Sequence, residues 1–166
     1  MKELKPEEFV ARPVDLWMNR WLLLTSGTMA DCNMMTVAWG SIGCMWNRPF
    51  AQIVVRPQRH TLKYLDGSDC FTLCAFPESF RKDLQHLGTV SGRDRDKLAE
   101  TGLTLKPSGT ILSPGYNEAD LILECRKMYR QTMDPGGFLT DAGERAYPEK
   151  DYHIVFFGEI TRIVTV

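Results

Sequence analysis

Hydrophobic residues in the first half of the chain form short runs of the length and composition typical of β-strands. Four such runs predict strands: NRWLLLTSG (19–27), NMMTVAWGSIGCMW (33–46), AQIVVRP (51–57) and CFTLCAF (70–76). Gly40 and Gly43 indicate a bend or bulge within the second run. Pro57 has no amide proton to give to a neighbouring strand, which suits the end of the third.

Two longer strand patterns follow near the C-terminus, ADLILECRKMYRQTM (119–133) and YHIVFFGEITRIVTV (152–166). Side chains alternate between the two faces of a strand, so the first pattern places residues 121, 123 and 125 on one face. Glu124 and Arg126 fall on the opposite face.

The middle of the chain has helical periodicity instead. Phe80, Leu84 and Leu87 recur at helical spacing in ESFRKDLQHLG (78–88), and the glycine at its end predicts a helix stop. RDRDKLAETG (93–102) predicts a second short helix, and Thr61 is suited to cap a third. Strands dominate both ends without regular βαβ alternation, which favours a closed antiparallel barrel decorated by helices over a doubly wound sheet. With no repeat or linker, residues 1–166 are expected to form a single domain.

Composition narrows the classes of partner. The 166 residues include 20 Lys and Arg against 21 Asp and Glu, and the resulting net charge of -1 gives no long-range attraction to nucleic acid or an anionic membrane. No apolar run is long enough to span a bilayer, and the N-terminus lacks a signal-peptide core, so we expect a cytoplasmic protein. The five cysteines include Cys70 and Cys74, which lie roughly 13 Å apart on one strand, too far for a disulfide or a shared metal ion.

Common catalytic motifs are missing. The sequence has no G-x-G-x-x-G, no G-x-x-x-x-G-K-[ST] and no G-x-S-x-G. His60, His86 and His153 are widely separated and show no metal-ligand spacing, so each is interpreted as structural and no metal site is predicted. Any nucleotide must therefore bind without the common nucleotide folds.

Three stretches could hold a ligand. In VVRPQRHT (54–61) a strand ends in two arginines and a threonine beside a predicted helix start, an arrangement that suits an anion such as phosphate. The second predicted strand offers flat and polarizable side chains, and TVSGRDRDK (89–97) offers a hydroxyl, glycine and cations. The structural alternatives are surface ion pairs for the first stretch, a filled barrel interior for the second and a solvated helix for the third.

The order of these stretches resembles a known family. The order resembles that of the flavin reductase-like family of FMN-binding split barrels, especially its flavoredoxin-like branch. The stretches that carry the resemblance are, in chain order, NMMTVAWG, WNRP, VRPQRHT, FTLCAF, LGTVSGRDRDK, LILECR and DYHIVFFGEI. The resemblance runs from about residue 19 to the C-terminus. It implies a mainly β fold: a six-stranded antiparallel Greek-key split barrel with a few short helices. It also implies a homodimer with FMN near the subunit interface.

The resemblance further implies roles for individual residues. The isoalloxazine ring would lie along the strand that carries Met35, Thr36, Val37, Ala38 and Trp39, with Cys44 close by. Arg56, Arg59 and Thr61 would bind the FMN phosphate, and Ser91 and Lys97 would add contacts. His153 corresponds to a histidine on the nicotinamide side of many flavin reductases, although those proteins have Gly-Asp-His where this chain has KDYH. DPGGFLTDAGERAYPEKD (134–151) has no counterpart in the pattern.

The implied activity is NAD(P)H-dependent reduction of flavin. The alternative is a flavoredoxin-type electron carrier whose tightly bound FMN is reduced by a protein partner. Haem or pyridoxal phosphate binding, or a ligand-free interaction role, stays open on the same scaffold. Electron exchange between Cys44 and the flavin is a further hypothesis, against which stands a purely structural thiol.

Overall fold

The computed structural model describes residues 1–166, which fold mainly as antiparallel β-structure. The strands are β1 (Lys2–Leu4), β2 (Leu22–Gly27), β3 (Cys32–Val37), β4 (Gly40–Met45), β5 (Arg48–Val55), β6 (Cys70–Ala75), β7 (Leu105–Lys106), β8 (Gly115–Tyr116), β9 (Leu121–Thr132) and β10 (Ile154–Thr165). The α-helices are α1 (Pro13–Asp15), α2 (Thr61–Gly67), α3 (Arg81–Thr89) and α4 (Asp141–Arg145). A π-helix (Leu16–Arg20) and three 3-10 turns (Pro6–Glu8, Glu78–Phe80, Pro135–Gly137) complete the regular structure. None of these helices is both long and apolar enough to cross a membrane.

Eight strands form one sheet in the order β3-β2-β6-β9-β10-β5-β4, with β1 added to β10. β10 can hold three neighbours because it is twelve residues long: residues 154–159 pair with β5, residues 163–165 pair with β1, and β9 pairs along its length. The predicted fold class, an antiparallel split barrel with few helices, is confirmed, although the sheet has eight strands rather than six. β3 and β4 are the two ends of this order and do not pair, so the sheet is open between them.

The long predicted strand 33–46 is divided into β3 and β4 by Ala38 and Trp39. Gly40 permits the close approach that follows this break. A Cβ atom at Gly40 would lie 2.4 Å from the Gln52 carbonyl oxygen and 2.5 Å from the Trp17 ring. The chain therefore leaves β3, bends over Trp17 and returns as the edge strand β4.

The two faces of β2 enter different hydrophobic cores. Leu22 and Leu24 pack in the main core inside the barrel, whereas Leu23 packs in a second core outside it. Leu84 and Leu87 of α3 cover that second core, which confirms the predicted helical stripe. α3 consequently lies along β3, which is the strand predicted to carry the flavin.

Two local predictions were wrong. Residues 93–102 form turns rather than a helix, and Lys97 extends inward to donate hydrogen bonds to the carbonyl oxygens of Leu87 and Val90. Thr61 is the first residue of α2 rather than its cap, since its hydroxyl is engaged with Asn33 and Met34. In both cases a tertiary contact prevails over the local signal.

Candidate functional site

An open groove of about 300 Å³ lies where β3 ends, between β5 and the start of β10. We call it the flat groove because apolar and planar side chains dominate its lining. It is lined by Met35, Thr36, Val37, Ala38, Trp39, Val54, Arg56, Arg59 and His153. All five residues predicted to lie along a flavin ring are therefore brought together, and Val54 is the lining residue that sequence reasoning missed.

The flat groove borders the free edge of the sheet. β3 pairs with β2 on one side and has no strand neighbour on the other. An edge strand presents backbone N–H and C=O groups outside the ladder, which can recognise the polar rim of a planar ligand. Trp39 is 54% exposed and leaves a large aromatic surface at the mouth of the groove.

A second groove of about 170 Å³ adjoins the first, and Arg59 lines both. We call it the basic groove because Arg59 and Lys97 line it and no lining residue is acidic. Its lining consists of Asn33, Gln58, Arg59, His60, Thr61, Thr89, Val90, Ser91, Gly92 and Lys97. Four residues predicted near phosphate thus meet in one place, although up to 38 positions separate them in the chain. They are Arg59, Thr61, Ser91 and Lys97.

The cations of the basic groove have no counterion. The Arg59 side chain is half-buried, forms no hydrogen bond or ion pair within the chain, and has its pKa lowered by burial. Lys97 is only 3% exposed, and burial followed by the charge of Arg59 lowers its pKa to about 8. Its Nζ donates to Leu87 (2.9 Å) and Val90 (3.0 Å), which leaves one of its three protons free. Two partly desolvated cations without an acid favour an anionic ligand.

Asn33 and Gly92 shape the basic groove and were missed by sequence reasoning. Asn33 Nδ2 donates to Thr61 Oγ1 at 2.7 Å, and that hydroxyl in turn lies 3.3 Å from the Met34 carbonyl oxygen. A Cβ atom at Gly92 would come within 2.0 Å of Asn33 Oδ1, so any side chain here would force Asn33 to move. Asn33 could have been identified from the sequence as a polar residue within an otherwise apolar strand.

Gly92→Ala is expected to destabilise the protein by about 1–3 kcal/mol, because the added methyl group must displace Asn33 from its bond to Thr61. Urea unfolding of the variant measures this loss. Gly67→Ala is the matched control, since a Cβ atom there meets no atom within 4 Å. Equal stability of the Gly92→Ala and Gly67→Ala proteins would contradict the packing argument.

The structure places Arg56 at the flat groove rather than with the phosphate-side residues. Its guanidinium pairs with Asp151, donates to the Ala146 carbonyl oxygen at 2.9 Å and lies 5.1 Å over the Tyr147 ring. Arg56 therefore fastens segment 134–151 beside the groove. Its predicted contact with phosphate has no support from this placement.

His153 lies on the same wall, only 8% exposed, with its ring centroid 5.3 Å from that of Trp39. Its Nδ1 is 2.7 Å from the Tyr147 hydroxyl. Burial, with the nearby charge of Arg56, lowers the His153 pKa to about 4, so the ring is neutral near pH 7.

Cys44 lies apart from both grooves. It is exposed on the edge strand β4, where it pairs with Pro49 in the β4–β5 hairpin. The expectation that it sits close to the ring is not met, and the thiol hypothesis lacks a contact with the flat groove. All five cysteines are free thiols, and no group of three or more His, Cys, Asp and Glu side chains is arranged to hold a metal ion.

Comparison with known proteins extends this picture. The family model described as "Flavin reductase like domain" matches residues 19–166. The chain belongs to the flavin reductase-like family. No curated protein matches this flavin reductase-like chain.

Solved structures similar to this flavin reductase-like chain include two flavoredoxins. That of Methanosarcina acetivorans has a TM-score of 0.66 at 22% identity, over 89% of this chain and 68% of its own. That of Desulfovibrio vulgaris (Miyazaki F) has a TM-score of 0.69 at 20% identity, over 100% and 77%. An FMN-binding protein from Thermus thermophilus, with bound 1-cyclohex-2-enone, has a TM-score of 0.69 at 16% identity, over 99% and 80%. At these identities the likeness shows a shared fold.

Proposed function

We propose that this chain binds FMN, with the isoalloxazine ring in the flat groove and the phosphate in the basic groove. The observation that carries the proposal is the pair Arg59 and Lys97, desolvated and without a counterion, where the two grooves join. Family membership supports it, as does similarity to proteins named as flavoredoxins and as FMN-binding. The residues present fit the cofactor, since a planar apolar cleft ends in a cationic one.

The chain's residues bind and orient, while bound FMN supplies the two-electron redox chemistry. Arg59 offers forked donors to phosphate oxygens, and Lys97 offers its free Nζ proton. Ser91 adds a hydroxyl at the same end. Met35 and Val37 give the ring an apolar surface, and Trp39 limits its contact with water.

We propose NAD(P)H-dependent flavin reduction as the activity. The flat groove is open to solvent beside Trp39 and His153, so a bound flavin would stay accessible to a second planar ring. Anaerobic mixing of the FMN-loaded protein with NADH or NADPH should bleach the flavin absorbance. A flavin reduced by dithionite or a reduced ferredoxin-type protein, yet inert to both nicotinamides, would instead identify an electron carrier served by a protein partner. The likeness to two flavoredoxins favours that second candidate.

We further propose that the chain is a homodimer, as the family resemblance implies. An aromatic face, defined as Trp46, Phe50, Tyr129 and Phe157, extends over three neighbouring strands and the β4–β5 turn, with ring centroids 5.2–6.4 Å apart. Trp46 is 60% exposed at the tip of the β4–β5 hairpin. Burial against a second copy would remove this large apolar side chain from water.

Trp46→Asp is expected to weaken the dimer about 30-fold or more, because a central tryptophan is a typical interface anchor. Sedimentation velocity over a range of concentrations measures the shift toward monomer. Leu112→Asp is the control, since Leu112 is also strongly exposed but lies outside the aromatic face. A wild-type protein that sediments as a monomer, or equal effects of both variants, would refute this surface.

A further inference from the structure

Segment 134–151, which connects β9 to β10, supplies a partner for a histidine in the flat groove. Tyr147 of this segment lies with its hydroxyl 2.7 Å from His153 Nδ1. The segment is held in place by Arg56, through Asp151 and the Ala146 carbonyl oxygen. Tyr147 also stacks parallel to Phe138, with centroids 5.7 Å apart, and Arg56 lies 5.1 Å from the centre of its ring, so the ring is held by packing.

The direction of the Tyr147–His153 bond follows from the available acceptors. Besides Nδ1, the Tyr147 hydroxyl has only the Met133 sulfur within reach, at 3.3 Å. A thioether is a weak acceptor and an imidazole nitrogen a strong one, so the phenol proton goes to Nδ1. Burial raises the pKa of Tyr147 and lowers that of His153, so both partners are neutral. A neutral imidazole that accepts at Nδ1 carries its proton on Nε2.

The Nε2 atom makes no hydrogen bond within the chain and is not fully buried, so it is free to bind a ligand. His153 lines the flat groove, next to the exposed face of Trp39. Arg56 on this wall is paired with Asp151, so it offers no unpaired charge to a ligand beside His153.

We propose that His153, held as its Nε2–H tautomer by Tyr147, donates a hydrogen bond to an oxygen atom of a flat, neutral electron acceptor in the flat groove. The acceptor class comprises aromatic carbonyl, quinone and nitro compounds, in which an in-plane oxygen takes up negative charge on reduction. The inference rests on the proposed function, because the acceptor would lie against the flavin. Tyr147 is a positioning residue, since it acts through His153.

Tautomer and ligand preference are tested separately. In the apoprotein, long-range ¹H–¹⁵N correlation spectra should show the Nε2–H form of His153, and Tyr147→Phe should convert it to a mixture. This measurement needs no flavin, so it stands even if FMN binding fails. A His153 found in its Nδ1–H form would overturn the inference.

The FMN-loaded protein is then titrated with acetophenone and with α-methylstyrene, which has the same shape but a CH₂ group in place of the oxygen. We expect wild type to prefer acetophenone about five- to tenfold, the value of one neutral hydrogen bond. His153→Phe should abolish this preference and Tyr147→Phe should reduce it, each measured on protein saturated with FMN so that a change in FMN affinity does not enter the comparison. A wild type without the preference, or a His153→Phe protein that keeps it, would refute the proposal, whereas failure to bind FMN would refute the proposed function instead.

Discussion

Arg59→Ala is expected to lower the affinity for FMN about a hundredfold while leaving the apoprotein as stable as the wild type. Hydrogen bonds from an arginine to phosphate are charge-assisted, and losing them costs roughly 2–3 kcal/mol, which corresponds to about two orders of magnitude. The fold should not suffer, because the Arg59 side chain contacts no acceptor in the chain. Removing its charge also relieves the repulsion acting on Lys97. Titration of apoprotein with FMN, followed by quenching of flavin fluorescence, measures the affinity.

Arg93→Ala is the matched control for this experiment. Arg93 belongs to the same basic region, since its charge contributes to lowering the pKa of His60, but it is exposed and lines neither the flat nor the basic groove. We expect Arg93→Ala to change FMN affinity less than about threefold, as is usual for a screened surface charge. Equal losses in both variants would mean that general positive potential, rather than a phosphate contact, attracts the ligand.

The affinity for FMN is expected to fall about tenfold between pH 7 and pH 9. Lys97 has a pKa of about 8 in the apoprotein, and a bound phosphate would raise it. Binding above pH 8 must therefore take up a proton, and each pH unit then costs close to a factor of ten. The phosphate monoester is a dianion throughout this range and does not contribute.

Calorimetric titration in buffers of different ionisation enthalpy tests this linkage by counting the protons taken up. Lys97→Met should bind FMN more weakly at pH 7 and lose the decline toward pH 9. The same lowered pKa makes the apoprotein more stable, rather than less, as the pH rises. Because the lowered pKa means that the unfolded chain holds the Lys97 proton more tightly, its contribution to apoprotein stability rises from about pH 8 to about pH 10.5. A wild-type affinity that is flat from pH 7 to 9 would contradict the phosphate contact of Lys97.

Much of the fold could be predicted because its signals are local. The alternation in β9 and β10 and the Phe80, Leu84 and Leu87 stripe of α3 each lie within one short segment. The division between β3 and β4 depends on Trp17, whose ring packs where a side chain at Gly40 would lie. The predicted helix after Arg93 failed because Lys97 is drawn to the end of α3. Contacts between residues that are far apart in the chain do not produce a periodic pattern in the sequence.

The candidate site shows the same division. The residues along β3 and the cations of the basic groove could be named from sequence because the family resemblance rests on short motifs that contain them. Arg56 and Arg59 could not be told apart, since the partner that engages Arg56 is 95 positions away at Asp151. Asn33 was missed because its bond to Thr61 joins a strand to a helix. Cys44 was expected beside the residues of the flat groove but does not line it, because the sequence does not reveal the course of β4 after Trp39.

FMN binding is tested most directly by the visible absorbance of the freshly purified protein, followed by identification of any chromophore released on denaturation. We expect a yellow protein that releases FMN, or an apoprotein that takes up one FMN per chain and then shows a perturbed flavin spectrum. A colourless protein that fails to bind added FMN would contradict the proposed function, while leaving the split-barrel fold in place.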